Sequence, residues 1–568
     1  MSDIFFHIAY IATAAGLAVW LWLVRPWLAE RGWMTLHGWA LSLSVGAGGV
    51  AVGLVPDLLN GKAAPSLGLF FAGIFIAGMI FNLFRNGWAW VAEKAGIPGF
   101  GRNPHEHIRG AALANERAVA RQLKHSQSRF SVGAVPVPVE LETRGFLLAG
   151  SPGTGKSQTL THALDALRAD GALAVIADAS GIYTSRYFRE GGQDVILNPF
   201  DERCVRWSPL CELESVADIP ALAKSLVPDG EGSAAEWNGY AQTFVEAVLE
   251  HCFTAGLGNG ELFRILVVAD LEELREVCAG TPAQPLVADG NERMFGSIRG
   301  ISSSAAKFLQ YLDPNADAQN GFSIRRYLHS DRAGFLFLSY QQQHRDALKS
   351  MIACCVDVAS RAVLSLPPSH DRRVVFALDE LPLLGKIQSI IDLSTNGRKH
   401  GAMIFAGLQT IAQLRESYGN ETAQTFLACL GSWLVLRVSD GETAEYMSRY
   451  LGEEEKTRVV KSGGKSHQSM QVGSSKSENW QEQVVKDRVV LPSELQALPD
   501  LRGIFNLAGP VPSAVVNLQI AAQRKEAEAF VAAPPRVRVK PKVQQQEQKR
   551  AGGTDRAQAA EADMLDLL

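Results

Sequence analysis

Short apolar runs alternate with segments of helical periodicity through most of the chain after residue 140. Such alternation is typical of a parallel sheet that is covered by helices. The pattern therefore predicts an α/β fold. The runs that we predict as strands are Gly145–Gly150, Ala172–Ala177, Val195–Leu197, Gly334–Leu338, Val374–Leu378, Met403–Ala406 and Trp433–Val438.

The alternation stops between Pro209 and about Asn320, where only helical patterns remain. Helical stretches such as Glu236–Phe253 and Asp270–Cys278 replace the strand signal there. The simplest interpretation is an all-α domain, residues 209–320, inserted into the α/β core.

The first part of the chain contains three segments without Asp, Glu, Lys or Arg: residues 4–24, 35–56 and 64–84. Each reaches the roughly 20 residues that a membrane-spanning helix needs. Lys and Arg follow the first and third segments, which places the N-terminus outside and residues 85–568 in the cytoplasm. The middle segment is rich in glycine, so two crossing helices and three remain alternatives.

Charge and cysteine content bear on two kinds of function, nucleic-acid binding and zinc binding. Lys and Arg number 55 against 59 Asp and Glu, and the net charge of −4 excludes a globally basic nucleic-acid-binding protein. Any DNA contact must come from local patches. One candidate is Arg102–Arg129, a basic stretch of helical pattern, for which a solvated helix face is the alternative. The cysteines show no CxxC spacing, so we expect reduced thiols rather than structural zinc.

Two segments show no apolar periodicity. Residues 461–479 are rich in Ser, Gly, Lys and Gln, which predicts a mobile loop. Residues 531–568 are rich in Pro, Gln and Lys, and we predict a disordered tail there.

A glycine-rich stretch follows the first predicted strand and precedes a helical pattern, as a phosphate-binding P-loop requires. Small residues let backbone N–H groups close around phosphates at a helix N-terminus. Lys156 would reach the outer phosphates, and the Ser157 hydroxyl would bind Mg²⁺. We therefore predict ATP and Mg²⁺ as cofactors. The motif consists of Gly150, Ser151, Pro152, Gly153, Thr154, Gly155, Lys156 and Ser157.

The apolar run Val374–Leu378 ends in two carboxylates, Asp379 and Glu380. In a chain that has a P-loop, such a strand end supplies the second half of the nucleotide site. Asp379 would hold Mg²⁺ through its water shell, and Glu380 would polarise the attacking water. The predicted metal ligands are therefore Ser157 and Asp379, and Glu380 is the predicted catalytic carboxylate.

Two further catalytic candidates follow in the sequence. Gln409 comes just after a predicted strand, where an amide can contact the γ-phosphate or its water. Arg398 lies on a turn and would act as an arginine finger on the nucleotide of a neighbouring subunit. A structural glutamine and a surface arginine are the alternatives.

Together these motifs resemble those of TraD/TrwB/TraG-type coupling proteins of type IV secretion systems. The resemblance covers roughly residues 100–525, and the chain departs from the family's common two spans if all three apolar segments cross. The motifs, in the family's order, are the P-loop, Asn198–Arg203 with Trp207-Ser-Pro, Asp379 with Glu380, Thr395–Gly401, and Gly407–Gln409.

The resemblance implies a RecA-like P-loop NTPase domain with an inserted all-α domain, hexamers formed with DNA, and hand-over of a relaxase-bound strand to the secretion channel. The expected function is therefore that of a DNA-dependent ATPase in the bacterial inner membrane, with its ATPase domain in the cytoplasm. Its expected partners are DNA, bound without sequence preference, relaxosome proteins and components of the type IV secretion channel.

Other functions remain open from the sequence. An FtsK-like or secretion-type RecA-like motor would act on other DNA or on proteins, and a docking receptor would use its ATP site only to regulate assembly. DNA would be gripped through its phosphates. Candidate contacts, with solvated side chains as the alternative, are Lys307, Arg325, Arg326, Lys461, Lys465 and Lys476.

These predictions divide the chain into six parts. The parts are a transmembrane region of two or three helices (1–88), a basic juxtamembrane segment leading into the core (89–140), the first part of the RecA-like domain (141–208), the all-α insert (209–320), the second part of the RecA-like domain with the mobile loop 461–479 (321–530), and the disordered tail (531–568).

Overall fold

A computed structural model of the chain describes residues 107–330, 333–465 and 476–534. The three predicted spans and residues 535–568 of the predicted tail lie outside this part. Within the described ranges, no helix is long and apolar enough to cross a membrane. The chain divides into two compact units, one of residues 1–106 and 457–482 and the other of residues 107–456 and 483–568. The central sheet and the site described below belong to the second unit.

Most of the described strands join one mixed sheet. Its ten strands run in the order β2-β15-β14-β11-β5-β10-β9-β6-β8-β7, and β1, β12 and β13 form a second sheet. The strands are β1 (His107–Gly110), β2 (Leu113–Asn115), β3 (Ser128–Val132), β4 (Val135–Pro138), β5 (Phe146–Ala149), β6 (Leu173–Asp178), β7 (Val195–Ile196), β8 (Phe335–Ser339), β9 (Val374–Leu378), β10 (Ala402–Leu408), β11 (Ser432–Val435), β12 (Glu453–Lys465), β13 (Lys476–Arg488), β14 (Arg502–Asn506) and β15 (Ser513–Asn517).

The seven apolar runs predicted as strands correspond to β5 through β11. These strands are adjacent in the sheet and parallel throughout. Their carboxyl ends therefore meet at one edge, which is where ligands bind in open α/β sheets. The parallel part of the fold is as predicted, whereas β14 and β15 extend the sheet with antiparallel pairs that the sequence pattern did not indicate.

Helices cover both faces of the sheet. Alternate strand residues face two separate apolar cores, with Leu147 and Phe376 in one and Phe146 and Val375 in the other. The helices are α1 (Glu116–Gln122), α2 (Lys156–Ala169), α3 (Ile182–Tyr187), α4 (Ile219–Leu226), α5 (Ala234–Thr254), α6 (Asn259–Val267), α7 (Leu271–Cys278), α8 (Glu292–Ala306), α9 (Ile324–Leu328), α10 (Arg345–Leu364), α11 (Ile390–Asn396), α12 (Ile411–Tyr418), α13 (Asn420–Cys429), α14 (Gly441–Leu451) and α15 (Pro492–Gln496).

Between Ser208 and Gly321 the regular elements are all helical, α4 through α8 with short 3-10 turns. Apolar side chains of these helices, Phe244 among them, join the same core as Leu147 and Phe376. The inserted helices pack against one another, and α4 packs against α10, so the insert shares one continuous core with the sheet domain.

The two ends of the insert are tied together by Glu212, whose side chain is only 6% exposed. Its carboxylate accepts hydrogen bonds from Trp207 Nε1 at 2.8 Å and from Ser323 Oγ at 3.0 Å. It also accepts the backbone N–H groups of Ile324 at 2.8 Å and Arg325 at 3.0 Å. Glu212 thus joins the segment that enters the insert to the helix, α9, that follows it.

The segment Arg102–Arg129 does not form the predicted helix. From His107 onward it contains strands β1 and β2, and only α1 is helical. β1 pairs antiparallel with β12, where Gly110 has φ of 105° and a Cβ would lie 2.4 Å from the carbonyl oxygen of Glu453. Strand pairing with a distant segment therefore overrides the local helical pattern.

The predicted loop 461–479 also differs in its described part. Residues 461–465 lie in β12 and residues 476–479 in β13, and these two strands are neighbours in one sheet. Residues 466–475 lie outside the described residues. Hydrogen bonding between strands uses the main chain, so it does not require the apolar periodicity that this polar segment lacks.

After β15 the chain continues as an extended segment, residues 518–533, which we call the C-terminal strap. It passes α2 and α3, where Ser185 O accepts the N–H groups of Glu526 at 2.8 Å and Ala527 at 3.0 Å. It then reaches the Asn198–Arg203 loop, where Glu202 N donates to Val531 O at 2.8 Å. Residues 531–534, predicted as part of the disordered tail, are therefore fixed against the domain by main-chain hydrogen bonds.

Candidate nucleotide-binding site

The P-loop lies at the carboxyl edge of the parallel strands. Gly150 N donates to Leu408 O of β10 at 3.1 Å, and Ser151 N donates to Arg437 O at 2.8 Å. The loop is therefore held between the chain ends that leave β10 and β11.

Two glycines give this loop its shape. Gly153 has φ of 77° and Gly155, the N-cap of α2, has φ of 122°, both in the region that disfavours other residues. At Gly155 a Cβ would also lie 2.9 Å from the Leu518 side chain. The tight turn places the first N–H groups of α2 at the loop, where the helix dipole favours an anion.

Lys156 is folded back over the loop. Its Nζ donates to Gly150 O at 2.5 Å and to Ser151 O at 3.3 Å, and the residue is 7% exposed. Burial lowers the pKa of Lys156, and the nearby carboxylates of Glu380 and Asp379 oppose that shift. Phosphate oxygens would give this ammonium group the counter-charge that the loop carbonyls only partly supply.

Asp379 follows β9 and meets the P-loop directly. Ser157 Oγ donates to Asp379 Oδ2 at 2.8 Å, whereas Asp379 Oδ1 is buried without a partner among the described residues. A hydroxyl and a carboxylate at this spacing match the oxygen ligands and water shell of Mg²⁺. The two residues therefore fit the metal role predicted for them.

Glu380 and Gln409 form a second pair at the same edge. Gln409 Nε2 donates to Glu380 Oε2 at 2.9 Å, and Glu380 Oε1 is buried without a partner in the described part of the chain. Burial raises the pKa of Glu380, while the Gln409 amide and Lys156 lower it in part. A carboxylate with a free, buried oxygen beside the P-loop fits the role of orienting a water molecule.

Arg398 is not brought together with these residues. It lies in a 3-10 turn, Gly397–His400, directly before β10, and its side chain is exposed. The site residues lie at the other end of the same strand, and β10 spans about 20 Å at roughly 3.3 Å per residue. Arg398 therefore does not act on the P-loop of its own chain in this structure.

The structure adds site residues that the sequence did not single out. Tyr183 of α3 donates its hydroxyl to Asp379 Oδ2 at 3.1 Å, and Gly407 of β10 lies directly against the Asp379 backbone. The order of the strands along the chain does not indicate that β6, which leads to Tyr183, lies beside β9 in the sheet. The one sequence feature that could have indicated this residue is its position shortly after the end of a predicted strand, just past Gly181.

Two of the candidate DNA contacts have partners inside the protein. Arg325 Nη1 lies 3.3 Å from Asp218 Oδ1, and Arg326 Nη2 donates to Gly321 O at 3.1 Å. These contacts favour structural roles at the end of the insert. The side chains of the three lysines proposed in residues 461–479 lie outside the described part.

A P-loop and an Asp-Glu strand end at the carboxyl edge of parallel strands, with a helical domain inserted between them, define a RecA-like nucleotide-binding domain. The model of the family described as "Type IV secretion-system coupling protein DNA-binding domain" matches residues 129–519. This chain belongs to that family.

Individual relatives agree with this membership. Coupling protein TraD of Escherichia coli strain K12 is 28% identical over 451 residues, which is 78% of this chain and 62% of TraD. The chain thus spans less than two thirds of the length of TraD. The structure of plasmid coupling protein TrwB with the non-hydrolysable ATP analogue ADPNP is 32% identical, with a TM-score of 0.68, over 76% of this chain and 99% of TrwB. TrwB with ADP and Mg²⁺ matches with the same values.

Proposed function

We propose that this chain is a membrane-anchored, DNA-dependent ATPase that couples a relaxase–DNA complex to a type IV secretion channel in conjugative DNA transfer. The observation that carries the proposal is the assembled site, in which Lys156, Ser157, Asp379 and Glu380 meet at one sheet edge. The relatives support it, since TrwB has been solved with an ATP analogue and with ADP and Mg²⁺.

Each site residue has a distinct task in hydrolysis. The P-loop N–H groups and Lys156 would bind the phosphates, and Ser157 and Asp379 would hold Mg²⁺, which would supply positive charge to the phosphate oxygens. Glu380 accepts a hydrogen bond from the attacking water through its free oxygen and orients it towards the γ-phosphate. Gln409 keeps Glu380 in place and lies where it responds to loss of the γ-phosphate.

Arg398 completes this site from a neighbouring subunit in a ring. Its exposed side chain lies at the opposite end of β10 from its own P-loop, which suits a residue that acts across an interface. We therefore place the chain in a homo-hexamer with Arg398 as the arginine finger. The ring would lie at the bacterial inner membrane, anchored by the apolar segments within residues 1–88, with its ATPase domain in the cytoplasm.

The test compares ATP hydrolysis by the purified chain with and without single- and double-stranded DNA. DNA should accelerate hydrolysis, and Lys156→Ala should abolish it because the phosphates lose their main charge partner. Lys224→Ala is the matched control, since Lys224 lies on α4 outside the nucleotide site and forms an ion pair with Asp229 at 3.6 Å. In mating assays with a deletion strain, the wild-type protein and Lys224→Ala should each restore DNA transfer, and Lys156→Ala should not.

Other results would point to other functions. Hydrolysis that is unaffected by DNA would contradict a DNA-dependent motor and favour a docking receptor. DNA-stimulated hydrolysis with unimpaired mating in the deletion strain would favour a motor that acts on other DNA.

A further inference from the structure

The side chain of Tyr183 lies beneath the metal-binding carboxylate. It is 2% exposed, and its hydroxyl donates to Asp379 Oδ2 at 3.1 Å. The Tyr183 hydroxyl is thus a hydrogen-bond donor to this carboxylate.

Hydrogen bonds between the end of β6 and the start of α3 hold Tyr183 in this position. It belongs to α3, which follows β6, the strand next to β9. Asp178, the fully buried last residue of β6, accepts hydrogen bonds from Thr184 N at 2.7 Å and Thr184 Oγ1 at 2.8 Å. Gly181, with φ of 73°, makes the turn between them. The start of α3 is therefore fixed to the end of the neighbouring strand.

The two oxygens of Asp379 have different environments. Oδ2 accepts from both Ser157 Oγ at 2.8 Å and Tyr183 at 3.1 Å, whereas Oδ1 is buried and unpartnered among the described residues. The Ser157 hydroxyl can coordinate Mg²⁺ through an oxygen lone pair while its hydrogen still donates to Asp379. Tyr183 is then the second protein donor to Oδ2, and of the two it is the one that does not contact the metal.

We propose that Tyr183 is a positioning residue for Mg²⁺: it fixes the Asp379 carboxylate through Oδ2, so that Oδ1 is presented to the water shell of the nucleotide-bound metal. The inference rests on the proposed function and adds a residue to it. Tyr183 does not touch the nucleotide or the reacting atoms in this arrangement. Its effect should appear in metal binding and not in the affinity for the nucleotide alone.

The test measures ADP binding by titration calorimetry with and without Mg²⁺, using the purified chain. In Tyr183→Phe the affinity for ADP without Mg²⁺ should equal that of the wild type, and the increase caused by Mg²⁺ should fall about tenfold, the effect typical of residues that orient metal ligands.

Tyr187→Phe is the matched control, because Tyr187 lies on the same helix but donates to Thr161 O at 3.0 Å and Asp165 Oδ1 at 2.9 Å. It should keep the full effect of Mg²⁺. A second variant, Tyr183→Met, also lacks the hydroxyl and should reproduce the loss, with circular dichroism confirming that each variant is folded.

The outcomes separate the inference from the function on which it rests. A Mg²⁺ effect in Tyr183→Phe and Tyr183→Met equal to that of the wild type would overturn the inference and leave the proposed function standing. An equal loss in Tyr187→Phe would also overturn it, because the cause would then be a disturbed helix. No Mg²⁺ effect in the wild type would overturn the metal-dependent ATPase itself.

Discussion

At the scale of single residues, one glycine beside the site leaves no room for a side chain. A Cβ added to Gly407 would lie 1.8 Å from the carbonyl oxygen of Asp379. The oxygen belongs to the main chain directly after β9, and a Cβ would be fixed to the main chain of the neighbouring strand β10, so neither atom can move aside alone. The glycine of the Gly407–Gln409 motif therefore allows β10 to lie against Asp379, the residue that we propose as a metal ligand.

Gly407→Ala should displace Asp379 and lower the rate of ATP hydrolysis by about 10²-fold or more, since a shift of about 1 Å in a site residue has effects of this size. The measurement is steady-state hydrolysis with saturating ATP and DNA. Gly296→Ala is the control, because Gly296 is exposed on α8 and a Cβ there meets nothing within 4 Å. It should leave hydrolysis unchanged and increase stability by up to about 1 kcal/mol. Normal hydrolysis by Gly407→Ala would contradict the argument.

The pair formed by Glu380 and Gln409 predicts a pH dependence. Burial raises the pKa of Glu380, and the hydrogen bond from Gln409 lowers it in part. In the proposed mechanism Glu380 orients water in its ionised form, so hydrolysis should rise as the pH increases through this raised pKa. Gln409→Leu removes a group that lowers the pKa, and the acidic limb of the pH profile should therefore move to higher pH.

The profile is measured as the hydrolysis rate at a series of pH values with saturating ATP and DNA. Gln342→Leu, a change at an exposed position, should leave the limb in place. A shift to lower pH in Gln409→Leu would show that the amide does not stabilise the ionised carboxylate.

At the scale of elements, local sequence patterns predicted which segments form strands but not the order of these strands in the sheet. The buried runs that became β5 through β11 are apolar on both faces, which is the pattern of a parallel strand covered on both sides. The strand order was not predictable, because it depends on contacts between segments as distant as β6 and β9. For this reason Lys156, Ser157, Asp379 and Glu380 were recognised from motifs, whereas Tyr183 was not.

Two kinds of strand lie outside the seven predicted runs. β14 and β15 bury apolar side chains such as Phe505 and Val516, and their short antiparallel pairing is not part of the alternating strand–helix pattern. Residues 461–465 and 476–479 are polar segments in β12 and β13, whose side chains carry little periodic signal because strand pairing uses main-chain hydrogen bonds. The insert was recognised as helical because its helices bury one face each, which leaves a visible period.

The insert's connection to the sheet depends on one buried carboxylate. Glu212→Ala would leave the donors of Trp207, Ser323, Ile324 and Arg325 without their acceptor, and each unpaired buried group costs about 1–3 kcal/mol. The free energy of unfolding should fall by at least about 3 kcal/mol in urea denaturation. Glu250→Ala, on the exposed side of α5, should change it by less than about 0.5 kcal/mol. Equal stability of the two variants would mean that water replaces the carboxylate.

At the scale of the whole molecule, Arg398 and the P-loop lie at opposite ends of the parallel strands. One chain therefore has the P-loop at one end of its strands and the exposed Arg398 at the other. Two neighbouring chains could bring these two ends together. In a closed ring, each subunit would present Arg398 to the nucleotide of the next. Under the proposed function, hydrolysis would therefore be a property of the assembly.

Arg398→Ala should bind ATP normally and lose about 10³-fold or more in hydrolysis rate, because an arginine finger acts on the transition state. Lys399→Ala, at the neighbouring exposed position, should retain activity. Mixing Lys156→Ala with Arg398→Ala in the presence of DNA should restore part of the activity, since some interfaces then pair an intact P-loop with an intact finger. No recovery at any mixing ratio, with ring assembly confirmed by sedimentation, would place Arg398 outside the neighbouring site.

The C-terminal strap has a consequence for how this protein diverges over evolutionary time. Its attachment uses main-chain atoms, as at Ser185 O and Glu202 N, while most of its own side chains face solvent, with Ile520 71% exposed. Selection can therefore act on the strap's length and path while its residue identities drift. In distant relatives the strap should be recognisable by its spacing after the last strand and by the helix and loop that receive it, long after alignment of its own residues has failed.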